Sequence, residues 1–209
     1  MRAVIFDVDG TLLQSAADDE SIYWDAVTDV LGPVQFRENL LDYRHVTDSG
    51  IFHQVLEDNH IDNRPGLEAS VRTVFLDMIQ QHITQNGPFH AVPGARNLLH
   101  RLEKSSEYSV AIATGGWRPV VEFKLRASRL SVENVPIATS DDSHVRIEIM
   151  KIARSRLLGN FSNVTYFGDA PWDRAACQLL GWDFVGVGVN VDGIRNLNEF
   201  GVNRSAKNA

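Results

Sequence analysis

The sequence contains a single cysteine, Cys177, and this scarcity limits what the protein can be. One cysteine excludes an internal disulfide, so we expect the chain in a reducing compartment, the cytoplasm. Cys177 lies in the stretch AACQLLG, whose apolar residues follow a helical pattern. This pattern predicts that Cys177 packs in the core and does not act as a nucleophile.

The sequence also lacks basic blocks and long apolar runs. Its formal net charge is −7 over 209 residues, which gives no support to nucleic-acid binding or to binding at an anionic membrane. No apolar run approaches the roughly 20 residues that span a bilayer, and we expect no signal peptide. We therefore expect neither a nucleic-acid partner nor a membrane partner.

What the sequence does contain is an alternation of short apolar runs and helical patterns. The runs are nearly continuous in hydrophobicity, which is typical of a parallel sheet covered on both faces. They occupy residues 3–6, 109–114, 135–139, 163–169 and 183–189. Helical patterns follow over residues 94–104, 118–128, 146–158 and 173–181. This alternation predicts a doubly wound α/β fold.

The region from about residue 16 to 88 breaks this alternation. It contains three helical patterns, over residues 20–31, 48–58 and 66–83, and no convincing strand. We interpret it as an all-helical subdomain inserted after the first strand, with residues 86–94 as the return hinge. The predicted division is an α/β core of residues 1–15 and 89–209 and a helical cap of residues 16–88.

Carboxylates and a hydroxyl follow the ends of three predicted strands. Asp7 and Asp9 follow the first strand, Thr114 closes the second, and Asp169 and Asp173 follow the fourth. In an open parallel sheet the ligand site lies outside the carboxyl ends of the strands, so these side chains should meet there. Clustered acids are costly to bury without a cation, and hard oxygen ligands select Mg²⁺ or Ca²⁺.

These motifs resemble those of the haloacid dehalogenase-like (HAD) hydrolase superfamily. DVDGT at 7–11, Thr114 and GDAPWD at 168–173 follow its order of DxDGT, Ser/Thr, Lys/Arg and GDxxxD. The resemblance covers nearly the whole chain, since the inserted helices fall where that superfamily has its cap. It implies a Rossmann-like core, a helical cap, Mg²⁺ as cofactor and the phosphatase branch, similar to phosphoglycolate phosphatases.

The resemblance also implies a role for each motif residue. Asp7 would be the nucleophile that forms an aspartyl-phosphate, and Asp9 the general acid and base that separates phosphatases from dehalogenases. Gly10 would allow the sharp turn that aims backbone N–H groups at the phosphate. Thr114 and the N–H of Gly115 would bind phosphoryl oxygens.

The same resemblance implies the ligands of the metal. Mg²⁺ would be held by Asp7, the backbone carbonyl of Asp9, and Asp169. Asp173 would bind through water or would orient the cation that pairs with the nucleophile.

The sequence departs from the family pattern at that cation. No G-K-P-x-P stretch is present, and residues 140–155 offer Arg146 in its place. An arginine would bring a planar fork able to bridge a carboxylate and a phosphate. Lys151 and Lys124 are the alternatives, and we expect both at the surface.

Substrate specificity should come from the inserted helices. The stretch YRHVTDSG at 43–50 is the most polar cluster there. Arg44 or His45 is a candidate to bind a second anionic group of the substrate, whereas Thr47 or Asp48 is expected as a helix N-cap. The predicted partner is a small phosphorylated metabolite, which the sequence does not identify further.

Two other functions remain open at this point. A phosphomutase of the same superfamily would use the same nucleophile, and a non-catalytic phosphate-binding or receiver-like module would use Asp7 as a switch. Asp9 argues against the module, because a switch should avoid an efficient internal acid–base group. No G-x-G-x-x-G or G-K-[ST] loop supports a dinucleotide or P-loop site. Both a monomer and a homodimer are compatible with the sequence.

Overall fold

One sheet of six parallel strands forms the centre of the computed structural model, which describes residues 1–130 and 132–200. The strands are β1 Arg2–Phe6, β2 Tyr108–Ala113, β3 Ile137–Ala138, β4 Asn163–Gly168, β5 Asp183–Val187 and β6 Gly193–Ile194. Their order is β3-β2-β1-β4-β5-β6. The chain moves outward from β1 through β2 to β3, and it then crosses back to form β4 on the other side of β1. This reversal is where α/β sheets bind ligands.

The central strand β1 is buried on both faces. Its register pairs Ile5 with Ala111 of β2 and with Tyr166 of β4. Successive side chains of a strand point to opposite faces, so Val4 and Phe6 enter one core, and Ala3 and Ile5 the other. This two-sided burial explains why β1 reads as a continuous apolar run.

Four helices cover the two faces of the sheet. Their bounds are α4 Ala95–Glu103, α5 Arg118–Ala127, α6 Arg146–Ser155 and α7 Pro171–Leu180. Leu98 of α4 and Leu125 of α5 belong to the core of Val4 and Phe6. Met150 of α6 and Cys177 of α7 belong to the other core, which confirms that Cys177 is a packing residue. The doubly wound α/β prediction is confirmed.

Three helices lie between β1 and α4 in the chain, and no strand occurs among them. They are α1 Ala16–Leu31, α2 Asp48–Asp58 and α3 Leu67–Asn86, with a short 3₁₀ turn at Leu40–Asp42. We refer to residues 16–88 as the helical segment; its status as a separate subdomain stays a prediction. The N-cap of α2 is Thr47, whose side chain accepts a hydrogen bond from Gly50 N. Thr47 is one of the two residues expected as this cap.

A buried tryptophan joins the helical segment to the sheet. Trp117 precedes α5, and its indole N–H lies 2.9 Å from Ser49 Oγ and 3.1 Å from Glu68 Oε1. Its ring lies 5.6 Å from that of Tyr23 in α1. The helical segment is thus packed against the start of α5, close to the carboxyl end of β2.

The structure differs from the sequence prediction mainly at the sheet edges. The run at 135–139 yields only Ile137–Ala138 as β3, and β6 was not predicted because two residues carry no strand pattern. The predicted core range 89–209 includes residues 131 and 201–209, which lie outside the described residues. Among the helices described, none has the length and apolar character needed to cross a lipid bilayer.

Candidate active site

Asp7 leaves the end of β1 with its backbone N–H bonded to Phe167 O of β4 at 2.9 Å. Its side chain is buried and lines a cavity of about 570 Å³. The chain then turns at Gly10, whose φ of +77° favours glycine. A Cβ atom on Gly10 would lie 2.0 Å from Asp169 Oδ2, so glycine is also required for the close approach of Asp169.

Three carboxylates meet at this point. Oxygen atoms of Asp7, Asp169 and Asp173 all lie within 4.8 Å of one another. Burial, reinforced by the charge of Asp173, raises the pKa of Asp7 well above its usual value and that of Asp169 to about 7. Burial also raises the pKa of Asp173. A divalent cation would relieve this repulsion, and an all-oxygen donor set fits Mg²⁺.

Arg146 is the first residue of α6 and approaches this cluster from the side. Its Nη1 lies 2.9 Å from Asp173 Oδ1 and 3.9 Å from Asp7 Oδ1, and its Nη2 donates to Val46 O at 2.9 Å. Burial opposes its charge, but Asp173, Tyr166 and Asp7 together outweigh burial and raise the pKa of Arg146. Lys151 is half exposed and paired with Glu148, as expected for a surface residue.

Thr114 and Gly115 follow β2 and line the same cavity. The backbone of Gly115 accepts a hydrogen bond from Asp48 N of α2 at 2.9 Å. A Cβ atom there would lie 2.6 Å from Arg146 Nη2 and 3.1 Å from Val46 O. Gly115 therefore allows the arginine and the helical segment to close on the end of β2.

The side chain of Asp9 does not belong to the carboxylate cluster. Its Oδ1 accepts hydrogen bonds from Ser15 Oγ at 2.5 Å and from Lys124 Nζ at 2.6 Å, and Lys124 also contacts Asp19 of α1. The expectation that Lys124 lies at the surface is wrong, because its side chain is only 1% exposed. The helical pattern contained the signal: Lys124 is four residues after Val120 on the buried face of α5.

Two further carboxylates from the helical segment face this site. Burial, followed by the charge of Asp9, raises the pKa of Asp19 to about 7. Burial, followed by the charge of Asp19, raises the pKa of Asp48 well above its usual value. Asp48 Oδ2 accepts a hydrogen bond from Trp117 N at 2.7 Å. Asp19 is not among the site residues predicted from the sequence, and Asp48 was predicted there only as a helix cap.

Arg44 and His45 are not brought to the cavity. The guanidinium of Arg44 pairs with Glu57, and its Nε lies 3.1 Å from Gln54 Oε1. The ring of His45 lies 5.4 Å from that of His144. Neither residue lines the cavity, so the role of one of them in binding the substrate stays a prediction that the geometry does not support. Within the polar cluster at 43–50, the residues that line the cavity are Val46, Thr47 and Asp48.

The wall of the cavity combines the sheet end with the helical segment. The sheet end supplies Asp7, Asp9, Thr114, Gly115, Gly116, Arg146, Asp169, Ala170, Pro171, Trp172 and Asn190. The helical segment supplies Ala16, Asp19, Glu20, Tyr23, Trp24, Glu38, Asn39, Leu40, Leu41, Val46, Thr47, Asp48 and Ile51.

The parallel sheet, its strand-end carboxylates and the helices that cover them define an α/β enzyme with an acidic centre. The sequence model of the haloacid dehalogenase-like hydrolases matches residues 1–181, and the chain belongs to that family. The resemblance inferred from DVDGT and GDAPWD is thereby confirmed. Among curated proteins, none is significantly similar in sequence to this chain.

Solved structures share the fold at low sequence identity. A hydrolase from Pseudomonas syringae is 21% identical with a TM-score of 0.71, covering 95% of this chain and 90% of that one. CbbY from Rhodobacter sphaeroides, in complex with phosphate, is 18% identical with a TM-score of 0.69 and coverages of 92% and 88%. β-Phosphoglucomutase from Clostridium difficile is 15% identical with a TM-score of 0.70 and coverages of 97% and 94%.

Proposed function

We propose that this protein is a Mg²⁺-dependent phosphatase that hydrolyses small phosphate monoesters through a phosphorylated Asp7. The observation that carries the proposal is the position of Asp7. Its carboxylate lines the cavity, with carboxylate oxygens of Asp169 and Asp173 within 4.8 Å and Nη1 of Arg146 at 3.9 Å. A nucleophile so placed can meet a phosphoryl group that enters from the open side.

The first step transfers the phosphoryl group to the protein. An oxygen of Asp7 attacks phosphorus, and the ester P–O bond breaks with its electron pair on the leaving oxygen. Asp9 gives its proton to that oxygen, so the alcohol leaves as a neutral molecule. Asp9 lines the same cavity as the nucleophile and lies two residues after it in the chain, which supports this role.

The second step returns Asp7 to its starting state. The ionised Asp9 takes a proton from a water molecule, whose oxygen attacks the phosphorus of the aspartyl-phosphate. The bond between phosphorus and the Asp7 oxygen breaks, inorganic phosphate is released, and Asp9 is again protonated. Thr114 and the N–H of Gly115 hold the phosphoryl oxygens during both steps.

The residues present fit a magnesium ion. Asp7, Asp169 and the backbone carbonyl of Asp9 would hold it, and Asp173 would contact it through water. When bound, the ion screens the charge between an anionic nucleophile and a dianionic substrate. Arg146 holds Asp173 in place and adds positive charge beside Asp7.

The test is hydrolysis of p-nitrophenyl phosphate with Mg²⁺ by wild type and by Asp7→Asn and Asp9→Asn. We expect activity in wild type that chelation removes, none for Asp7→Asn, and a loss of about 10²-fold or more for Asp9→Asn. Asp29→Asn, an exposed carboxylate on α1 outside the cavity, is the control. Wild-type activity that is absent, or that survives both chelation and Asp7→Asn, would overturn the proposal.

A phosphomutase would share the first step and then return the phosphoryl group to a second hydroxyl. The likeness to β-phosphoglucomutase shows the fold alone. Release of inorganic phosphate from sugar phosphates supports the phosphatase, whereas isomerisation without release supports the mutase. A cytoplasmic location, a small phosphorylated metabolite as substrate, and a monomeric or homodimeric state are part of the same proposal.

A further inference from the structure

Lys124 is a buried cation that the proposed mechanism does not yet use. Its side chain is 1% exposed, and its ammonium contacts Asp9 Oδ1 at 2.6 Å and a carboxylate oxygen of Asp19. Asp9 follows β1, Asp19 lies in α1, and Lys124 lies in α5. One ammonium group thus joins the sheet end, a core helix and the helical segment.

The charge state of this lysine limits what it can do. Burial alone would lower its pKa, but the carboxylates of Asp19 and Asp9 outweigh burial and raise it. Lys124 therefore stays an ammonium at neutral pH and is neither a base nor an amine nucleophile. It is also absent from the residues that line the cavity, so it does not touch a substrate directly. What remains is a fixed charge that acts through its partners.

The hydrogen bonds of Asp9 show what that charge does. Oδ1 of Asp9 accepts from both Lys124 Nζ and Ser15 Oγ. Oδ2 has no hydrogen-bond partner among residues 1–130 and 132–200. A carboxyl group with one oxygen held by two donors cannot rotate freely about its Cβ–Cγ bond. The two oxygens are therefore not equivalent, and only Oδ2 is available to carry a proton to a substrate.

We propose that Lys124 is a positioning residue that holds Asp9 through Oδ1, so that Oδ2 delivers the proton to the leaving oxygen. Its second contact, with Asp19, ties this orientation to the position of α1. The inference rests on the proposed function, because it needs Asp9 as the general acid. Ser15 contributes the second hydrogen bond that fixes Oδ1, and its own position as N-cap of α1 links it to the same helix.

The leaving group of the substrate separates positioning from a merely structural role. p-Nitrophenol is a much stronger acid than an aliphatic alcohol, so its phosphate ester needs little help from a general acid. The value of kcat/KM reports only the steps up to release of the leaving group. A variant that misplaces Asp9 should therefore lose kcat/KM on an alkyl phosphate far more than on p-nitrophenyl phosphate.

The experiment compares Lys124→Met with wild type on glycerol 2-phosphate and p-nitrophenyl phosphate, both with Mg²⁺. We expect kcat/KM to fall about 100-fold or more on glycerol 2-phosphate and less than about tenfold on p-nitrophenyl phosphate. Lys151→Met, at a half-exposed lysine of α6, should change neither value. Combining Lys124→Met with Asp9→Asn should add nothing to Asp9→Asn alone, because both act on one group.

Ser15→Ala is the second variant and tests the same point without removing a buried charge. It should show the same selective loss on glycerol 2-phosphate with a smaller magnitude. Equal losses on the two substrates for both variants, or full additivity with Asp9→Asn, would overturn the proposal. Failure of wild type to hydrolyse p-nitrophenyl phosphate would instead overturn the proposed function, so the two failures are distinguishable.

Discussion

The Cα of Gly10 lies so close to Asp169 that a methyl group on it would be 2.0 Å from Oδ2 of that carboxylate. No heavy atom of a real side chain tolerates this distance, so either Asp169 or the turn after β1 would have to move. The turn also requires a φ of +77°, which favours glycine for a second reason. The glycine of DVDGT thus brings the ends of β1 and β4 together.

We predict that Gly10→Ala abolishes Mg²⁺-dependent activity, with a loss of about 100-fold or more. The displaced Asp169 would also weaken the rise in melting temperature that Mg²⁺ gives the wild type. Gly32→Ala is the matched control, since Gly32 has a φ of +80° but no atom within 4 Å of the added Cβ. It should cost about 1–2 kcal/mol of stability and leave the Mg²⁺ response intact. If both variants lost the same Mg²⁺-dependent activity, backbone strain alone would explain the loss in Gly10→Ala.

Arg146 and Lys151 provide a second contrast. We predict that Arg146→Ala lowers kcat/KM at least about 100-fold and destabilises the fold by about 3–5 kcal/mol, because Asp173 is left as an unpaired buried charge. Lys151→Ala should change kcat/KM less than about twofold and stability by less than about 0.5 kcal/mol. Steady-state kinetics and urea unfolding measure both effects.

The double variant Arg146→Ala with Asp173→Asn separates the two roles of this arginine. Removing both charges should restore part of the stability, because no buried carboxylate is then left unpaired. Activity should stay low, since the positive charge beside Asp7 is still missing. Recovery of activity in the double variant would show that Arg146 serves only to neutralise Asp173.

The pKa of Asp19 leads to a prediction about pH. Burial raises its folded-state pKa to about 7, above the usual value of 3.8. Between these values the folded state binds more protons than the unfolded state, so the free energy of unfolding falls as pH rises. Asp19→Asn removes this effect. Its free energy of unfolding, relative to wild type, should therefore increase from about pH 4 to pH 7 and then level off.

Urea unfolding of both proteins in steps of one pH unit checks this prediction. Asp29→Asn, which replaces an exposed carboxylate on the same helix, is the control. A difference between Asp19→Asn and wild type that shrinks as pH rises would contradict a raised pKa.

Much of the fold could be predicted from hydrophobic patterns, because the inner strands are buried on both faces. β1, β2 and β4 read as continuous apolar runs for that reason, and α2 has the predicted bounds Asp48–Asp58. The short edge strand β6 carries no pattern of its own. It exists because Gly193 and Ile194 pair with β5, which only the tertiary structure can show.

The part of the candidate site that lies at the ends of the parallel strands could be predicted from the sequence. The part that depends on which side chains pair with one another could not. Asp7, Asp169 and Asp173 meet because parallel strands end at one edge. Lys124 was misjudged because its residue type was given more weight than its place on the buried face of α5. The pairing of Arg44 with Glu57 could not be predicted, because Glu57 is thirteen residues away and the contact forms only once α2 is in place.

The part of the cavity wall that the helical segment forms is acidic. Asp19, Glu20, Glu38 and Asp48 line it, and among the described lining residues Arg146, from the core, is the single lysine, arginine or histidine. Asp19 is paired with Lys124, whereas Glu20 and Glu38 are exposed and have no cationic partner in the described ranges. A second anionic group on a substrate would lie among like charges there.

We therefore predict that phosphoethanolamine is hydrolysed with a higher kcat/KM than phosphoglycolate, by about fivefold or more. The two esters are similar in size, and their leaving groups carry opposite charges, so the comparison isolates the charge of the wall. Glu38→Lys should reverse or abolish the preference by improving phosphoglycolate, since it places a cation beside the leaving group. Asp29→Lys, which makes the same charge change on α1 outside the cavity, should leave the preference in place. If phosphoglycolate were the better substrate of wild type and Glu38→Lys changed nothing, specificity would have to come from shape and hydrogen bonding, with Asn39 and Trp24 as the next residues to vary.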